Sequence, residues 1–230
     1  MRILSEDDLE RSAVVANCRM NRERNLTGSN GYTKELGFHP LDFLKEQGTS
    51  GHRVAWLDLC CGTGKALIEA ARITASEGWA QRLEIVGVDL VGMFLEPDPG
   101  LENLRLVEAS LRAWQPARTY DLVTCVHGLH YVGDKLGTIA RALSWLTEDG
   151  KFAANLDLEN VRLGDPSGTK RTLFADLRRS GLEIDRRRRL LVCRGRTTPS
   201  FPYRYLGSND QAGPNYTGQP AVDSYYEIHH

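Results

Sequence analysis

The sequence has no apolar run long enough for a signal peptide or a membrane span, and near its start Ser5-Glu6-Asp7-Asp8 is acidic and polar. These features predict a chain that stays in the cytoplasm, with Asn25-Leu26-Thr27 and Asn215-Tyr216-Thr217 left unglycosylated. It also lacks a charge excess: 29 Lys and Arg stand against 30 Asp and Glu, so no global field directs it to nucleic acid or anionic lipid. Its five cysteines (Cys18, Cys60, Cys61, Cys125, Cys193) are odd in number and form no paired CxxC spacing. That excludes a secreted disulfide framework and a structural zinc site, and no metal is expected. No internal repeat is present. His229-His230 reads as a purification-tag remnant and is left out of the chemistry.

The 230 residues, 41% of them hydrophobic, suffice for one α/β domain with appendages. Ser5 and Asp8 form a capping-box-like start, and Leu9, Ala13, Ala16 and Met20 follow at helical spacing. A turn-rich stretch from Asn25 to Gly31 comes next, readable as a lid or a connector. Pro40 suits the first turn of a short helix over Leu41–Lys45, closed by Gly48. Strand-like and helix-like patterns then alternate, which predicts βαβ units and a mostly parallel sheet. Strands are expected at Val54–Leu59, Leu83–Asp89, Leu104–Glu108, Tyr120–Val126 and Lys151–Leu156, with late strands at Leu190–Cys193 and Phe201–Leu206. Helices are expected at Lys65–Glu77, along the apolar stripe Leu136, Ile139, Ala140, Leu143 and Leu146 ending at Gly150, and from Asp165-Pro166 to Gly181. Pro97 and Pro99 leave no room for a full helix between the second and third strands. The organisation is thus a cap over residues 1–50, a core over 51–206 and a Gly-, Pro-, Asn- and Tyr-rich tail over 207–230.

The densest signal is Trp56-Leu57-Asp58-Leu59-Cys60-Cys61-Gly62-Thr63-Gly64-Lys65, a hydrophobic strand that runs through an acidic residue into a glycine turn and a helix. Glycines at 62 and 64 let a ligand approach the bare backbone, and the following helix start offers unpaired N–H groups. The second strand ends in Asp89, whose carboxylate can accept from two adjacent ribose hydroxyls. Taken singly, each feature reads equally well as a tight turn and a strand cap. A dinucleotide site would want a third glycine where Leu67 stands.

Together, Asp58 to Gly64 resemble motif I of the class I S-adenosylmethionine-dependent methyltransferases, with Cys60 in place of the first glycine. Ile85 to Leu90 resemble that family's ribose-binding strand, Tyr120 to Val132 its fourth strand and following turn, and Asp149-Gly150-Lys151-Phe152 its loop into strand five. The resemblance covers roughly residues 51–160 in matching order. It implies a Rossmann-like, seven-stranded, mostly parallel sheet flanked by helices, with an N-terminal helical cap. It also implies S-adenosylmethionine as cofactor and S-adenosylhomocysteine as product. The backbone of Cys60, Gly62, Thr63 and Gly64 would border the methionine half, and Asp58 would support that turn or the amino group. Asp89 would hold the ribose, Leu90 would lie beside the adenine, and Ser110 and Leu111 would stand where the family often brings an Asp to it. Cys125 and Val126 would face the cofactor, and Tyr32 would belong to a lid.

Methyl transfer from a sulfonium needs alignment and exclusion of water, and a base only for a protonated acceptor. His127 and His130, after the fourth strand, are the candidate catalytic residues, each equally readable as packing. Tyr131 is a further pocket candidate, and Tyr216, Tyr225 and Tyr226 in the tail are candidates to line an acceptor pocket. Arg186 to Arg189, with Arg178, Arg179, Arg194 and Arg196, make the late chain locally basic, which reads better as a solvated edge than as an RNA surface. The turn after the fourth strand also lacks the Asn/Asp-Pro-Pro-aromatic pattern of amino-group methyltransferases of DNA or protein. The expected acceptor is therefore a small molecule of the specialised-metabolism kind, methylated on O or N. An RNA methyltransferase and a cofactor-binding protein without transfer activity stand as alternatives, and oligomeric state is not legible.

Overall fold

The computed structural model describes residues 3–16, 23–164 and 169–228. In chain order the elements are α1 (Glu6–Glu10), α2 (Ala13–Ala16), α3 (Tyr32–Leu36), α4 (Pro40–Gln47), β1 (Val54–Leu59), α5 (Lys65–Ser76), β2 (Leu83–Asp89), β3 (Leu104–Glu108), β4 (Tyr120–Cys125), α6 (Lys135–Ser144), β5 (Leu146–Asn155), β6 (Val161–Leu163), α7 (Thr169–Arg179), β7 (Glu183–Asp185), β8 (Leu190–Arg194), β9 (Tyr203–Asn209) and β10 (Asp223–Ile228). Cys18, Met20 and the expected helix start at Asp165-Pro166 lie outside the described residues.

A seven-stranded sheet has the order β3-β2-β1-β4-β5-β8-β7. The pairs from β3 across to β5 are parallel, and β8 runs antiparallel to both β5 and β7. Every residue of β1 and β4 is buried, as expected of central parallel strands covered on both faces. Alternation along β1 divides the core. Ala55, Leu57 and Leu59 face one cluster with α6 and α7, while Val54 and Trp56 face the other with α3, α4 and α5. Strand order reverses between β1 and β4, so a crevice forms beyond their carboxyl ends, where open α/β sheets bind ligands.

The first four core strands fall within one residue of expectation, and no helix intervenes between β2 and β3. Elsewhere the structure corrects the pattern. The helix expected to run to Gly150 stops at Ser144, because Leu146 pairs with Tyr120 in the sheet. An apolar residue at helical spacing is equally a strand residue when a partner edge is available. The N-terminal helix is two short pieces broken at Arg11-Ser12, although Ser5 caps it as expected, accepting the Asp8 N–H at 3.2 Å. β9, assigned to the core from sequence, lies in a separate three-stranded sheet of order β6-β10-β9, so the tail contributes a strand of its own. Tyr226, expected in a pocket, is 1% exposed; its hydroxyl accepts the Leu136 N–H at 3.1 Å and donates to Asp134 at 3.2 Å. Among the described residues no helix is long and apolar enough to cross a membrane, and no cluster of side chains could hold a metal ion.

Candidate active site

The turn after β1 is built on left-handed backbone: φ is +57° at Cys60, +62° at Gly62 and +73° at Gly64. Cys60, where the resembling family carries glycine, takes this conformation at a cost of about 1–2 kcal/mol. Room for its side chain comes from Gly128, since a Cβ there would lie 2.3 Å from the Cys60 Cβ and 2.8 Å from the Cys125 Sγ. Across the tip, Asp89 Oδ2 accepts the Gly62 N–H at 2.9 Å and Oδ1 accepts the Val91 N–H at 3.0 Å. The tips of β1 and β2 are thereby locked together.

They floor a cleft that opens to solvent. Cys60, Gly62, Asp89, Leu90, Leu111, Val126 and His127 all line it. Glu6, Leu9 and Glu10 of α1 and Val15 of α2 roof it, and Thr138 and Arg141 of α6 close one side. The roof is tied down: Ser110 donates to Glu10 Oε1 at 2.5 Å, and Arg112 lies 2.5 Å from Asp7. The sequence predicts a cap over residues 1–50; that α1 is the part of it roofing the cleft is a tertiary contact with no local signature.

Other candidate residues stand behind this wall. Asp58 is fully buried. It accepts from Tyr32 at 2.7 Å and from Thr124, which in turn accepts the Trp56 indole N–H at 2.8 Å. Burial pushes the Asp58 carboxyl up to about 7 against those two hydrogen bonds. Tyr32 therefore covers Asp58 instead of lining the cleft, and Thr63, Gly64, Ser110 and Cys125 also lie outside the lining. Burial, with Asp58 beside it, raises the Tyr32 phenol well above its ordinary value.

The histidines sit where β4 ends. His127 has φ +59°, and its N–H donates to Asn155 Oδ1 at 3.3 Å. Its Nε2 is 3.0 Å from Glu35 Oε2 of α3, a partner that sequence spacing could not reveal; this contact holds the Glu35 carboxyl below its usual range. His130 is 1% exposed and lies off the cleft wall, its ring 5.5 Å from that of His127. Burial pulls it well below the ordinary imidazole value, so it is neutral, and among the described residues neither ring nitrogen has a partner. The Asn155 amide nitrogen is unpartnered too. With His127 Nε2 they form one group of such atoms beside the cleft; others lie elsewhere in the fold, at Asn103, Tyr120 and Asn160. Tyr216 reaches over them from the tail, and the Arg189 guanidinium, 3.1 Å from Asp157, lies 4.0 Å over the Tyr216 ring. The arginine run is otherwise dispersed, with Arg186 over Phe174 and Arg188 near Asp185.

A doubly wound sheet with one reversed strand near its edge, a left-handed turn at the tip of β1 and a carboxylate at the tip of β2 define a Rossmann-like α/β protein of the class I methyltransferase type. A family model described as a methyltransferase domain matches residues 30–188, more than half of the chain, and the chain belongs to that family. Similar solved structures include the plantazolicin methyltransferase BpumL with a monoazolic desmethylPZN analog and SAH (13% identity, TM-score 0.40, covering 50% of this chain and 43% of that one). Another is SAM-bound CalS10 from Micromonospora echinaspora, an amino pentose methyltransferase of calicheamicin biosynthesis (20% identity, TM-score 0.34, 50% and 48%). A third is the Haemonchus contortus phospholethanolamine N-methyltransferase 2 with phosphomonomethylethanolamine and S-adenosylhomocysteine (21% identity, TM-score 0.42, 66% and 35%). The chain spans less than half the length of each of these proteins. No curated protein matches it.

Proposed function

We propose that this protein is a cytoplasmic S-adenosylmethionine-dependent methyltransferase acting on O or N of a small-molecule acceptor, of the kind methylated in specialised metabolism. The observation that carries the reading is the shared cleft at the tips of β1 and β2, where Asp89 and the Gly62 turn meet within 2.9 Å. Asp89 would hold the ribose hydroxyls. Leu90 and Leu111 would hold the adenine beneath Leu9, and the Cys60–Gly62 backbone would hold the methionine half. Asp58, covered by Tyr32, would act by supporting that turn. When bound, the cofactor supplies a methyl group on a sulfonium sulfur that leaves as a neutral thioether.

This chain's own residues then orient the acceptor, exclude water and handle its proton. His127 borders the cleft and carries a carboxylate partner, which suits a base; His130, neutral and unpartnered, suits a hydrogen-bonding role toward the acceptor. The segment before β1 acts as a cap, and the tail lends Tyr216 to the acceptor side. Dispersal of the arginines into separate contacts favours a small molecule over RNA.

Calorimetry with S-adenosylhomocysteine tests the cofactor assignment. Removing hydrogen bonds to a charged acceptor costs about 1.5–3 kcal/mol, so Asp89→Ala is expected to weaken binding roughly ten- to a hundredfold. Asp89→Asn, which keeps the shape and an acceptor oxygen, is expected to fall between. Undiminished affinity in a folded Asp89→Ala protein would overturn the ribose assignment.

A further inference from the structure

Beside the cleft, at His127, stands an aromatic ring of the chain's own tail. The Tyr216 hydroxyl is 3.4 Å from His127 Nδ1. Its ring meets that of His130 edge-on, 5.5 Å away at 76°, and Arg189 covers its face at 4.0 Å. The tip that carries it is closed upon itself. Asn215 N–H donates to the Gln219 carbonyl at 2.7 Å, and Gly218 N–H to the Asn215 carbonyl at 2.9 Å. The Thr217 N–H donates to Asn215 Oδ1 at 2.8 Å. Hydrogen bonds that shape the tip thus stay within it, and the ring, 39% exposed, can leave without unmaking them.

Nδ1 is the imidazole nitrogen that faces the ring. Glu35 Oε2 stands at ion-pair distance from His127 Nε2, 3.0 Å, without the alignment of a hydrogen bond; because an ionised carboxylate is an acceptor only, the neutral tautomer that suits this neighbour carries its hydrogen on Nε2 and presents the Nδ1 lone pair. In that tautomer the Tyr216 hydroxyl donates to Nδ1. Burial pushes this phenol up to about 12, so it remains a protonated donor at neutral pH.

We propose that Tyr216 occupies the acceptor subsite as an internal stand-in, and that the natural acceptor is a small aryl hydroxyl whose ring replaces that of Tyr216 under Arg189 and whose O–H replaces the Tyr216 hydroxyl on His127 Nδ1. This rests on the methyltransferase reading and narrows it from O or N to aryl oxygen. An electron-rich ring face attracts a guanidinium, whereas a protonated amine in the same place would be repelled by Arg189. In the reaction the acceptor O–H bond breaks and its proton passes to Nδ1, giving an imidazolium opposite Glu35. The oxygen pair so released forms the bond to the methyl group, whose former bonding pair stays on the donor sulfur. His130 and the Asn155 amide, buried without partners, are placed to meet further polar substituents on the ring.

The test is an NMR titration of the full chain saturated with S-adenosylhomocysteine, using catechol and phenol as probes, anisole as the analogue without a donor and benzylamine as the cationic one, and following the His127 imidazole nitrogens. Tyr216→Ala is expected to tighten catechol and phenol at least tenfold and to move the Nδ1 resonance, with a smaller gain in Tyr216→Phe, where the ring remains, and none for benzylamine. Anisole should bind more weakly than phenol to the Ala protein. Weaker or unchanged phenol binding in Tyr216→Ala, phenol binding that leaves Nδ1 unmoved, a preference for benzylamine, or no binding of any probe would each overturn the proposal. Because S-adenosylhomocysteine binding is measured on the same samples, these failures are distinct from failure of the cofactor reading, which would show as no binding of that nucleoside.

Discussion

Three non-glycine residues adopt left-handed backbone among those described: Cys60, His127 and Arg189. Each stands at the proposed site, at the tip of β1, after β4 and before β8, and each cost of order 1 kcal/mol is borne where a side chain must be aimed. Cys60 and Gly128 form a compensated pair, a side chain where the family has none facing a glycine that leaves it space. Overpacking typically costs about 1–3 kcal/mol, so Gly128→Ala is expected to lower stability by about that amount in the wild-type background. In a Cys60→Gly background the nearest obstruction is gone and only the Cys125 Sγ contact at 2.8 Å remains, so the cost should fall below that in wild type. Urea denaturation of the two single variants and the double variant closes the cycle; additive effects would show that Cys60 and Gly128 do not share the space assigned to them.

At the scale of elements, α1 is five residues long and cannot be stable alone. It is held by Leu9, 1% exposed, in a small cluster with Leu4, Val15 and Val222, together with the ties to Ser110 and Arg112. Truncating a buried leucine costs about 2–5 kcal/mol, more than such a cluster can lose and stay docked. Leu9→Ala should therefore release α1 while the sheet persists: amide exchange of residues 4–10 accelerates, β1 and β4 stay protected, and S-adenosylhomocysteine affinity falls. Protection of α1 equal to wild type would contradict its role as the cleft's roof. The same contrast explains what the chain discloses. β1, β2 and β4 are legible because strands buried on both faces are continuous apolar runs bounded by turn residues, and the cofactor half is legible because Cys60, Gly62 and Asp89 lie on those strand ends. β6 and β7, three residues each, carry no pattern. β10 hides in a segment whose glycines and prolines read as a loop. The acceptor half is illegible as a unit because Glu35, His127, Arg189 and Tyr216 come from four separate segments and meet only in the folded chain.

For the whole molecule, the tail closes the structure through a buried lysine. Lys135 Nζ, fully buried, donates to the carbonyls of Val132 and Val222 at 2.8 and 2.9 Å and to Ser224 Oγ at 2.8 Å, joining the turn after β4 to β10. Burial pulls its ammonium down to about 7, against the attraction of Asp223 and Asp134. Between that value and the unfolded 10.5 the unfolded chain binds more protons, so this group's contribution to stability rises with pH. Asp58 acts in the opposite sense. Its folded value near 7 lies above the unfolded 3.8, so its contribution is fully present below 3.8 and is lost as pH rises to 7. The Lys135 penalty is thus full below about 7 and the Asp58 penalty full above it, so the two coincide near neutrality, each changing by up to about 1.4 kcal/mol per pH unit spanned. Denaturation of wild type, Asp58→Asn and Lys135→Met at pH 5, 7 and 9 separates them. Wild type should lose ground to Asp58→Asn between pH 5 and 7 and gain on Lys135→Met between pH 7 and 9. A difference from Lys135→Met that stays flat above pH 7 would mean that the lysine keeps its charge within the fold, and the tail would then be fastened by a permanent cation.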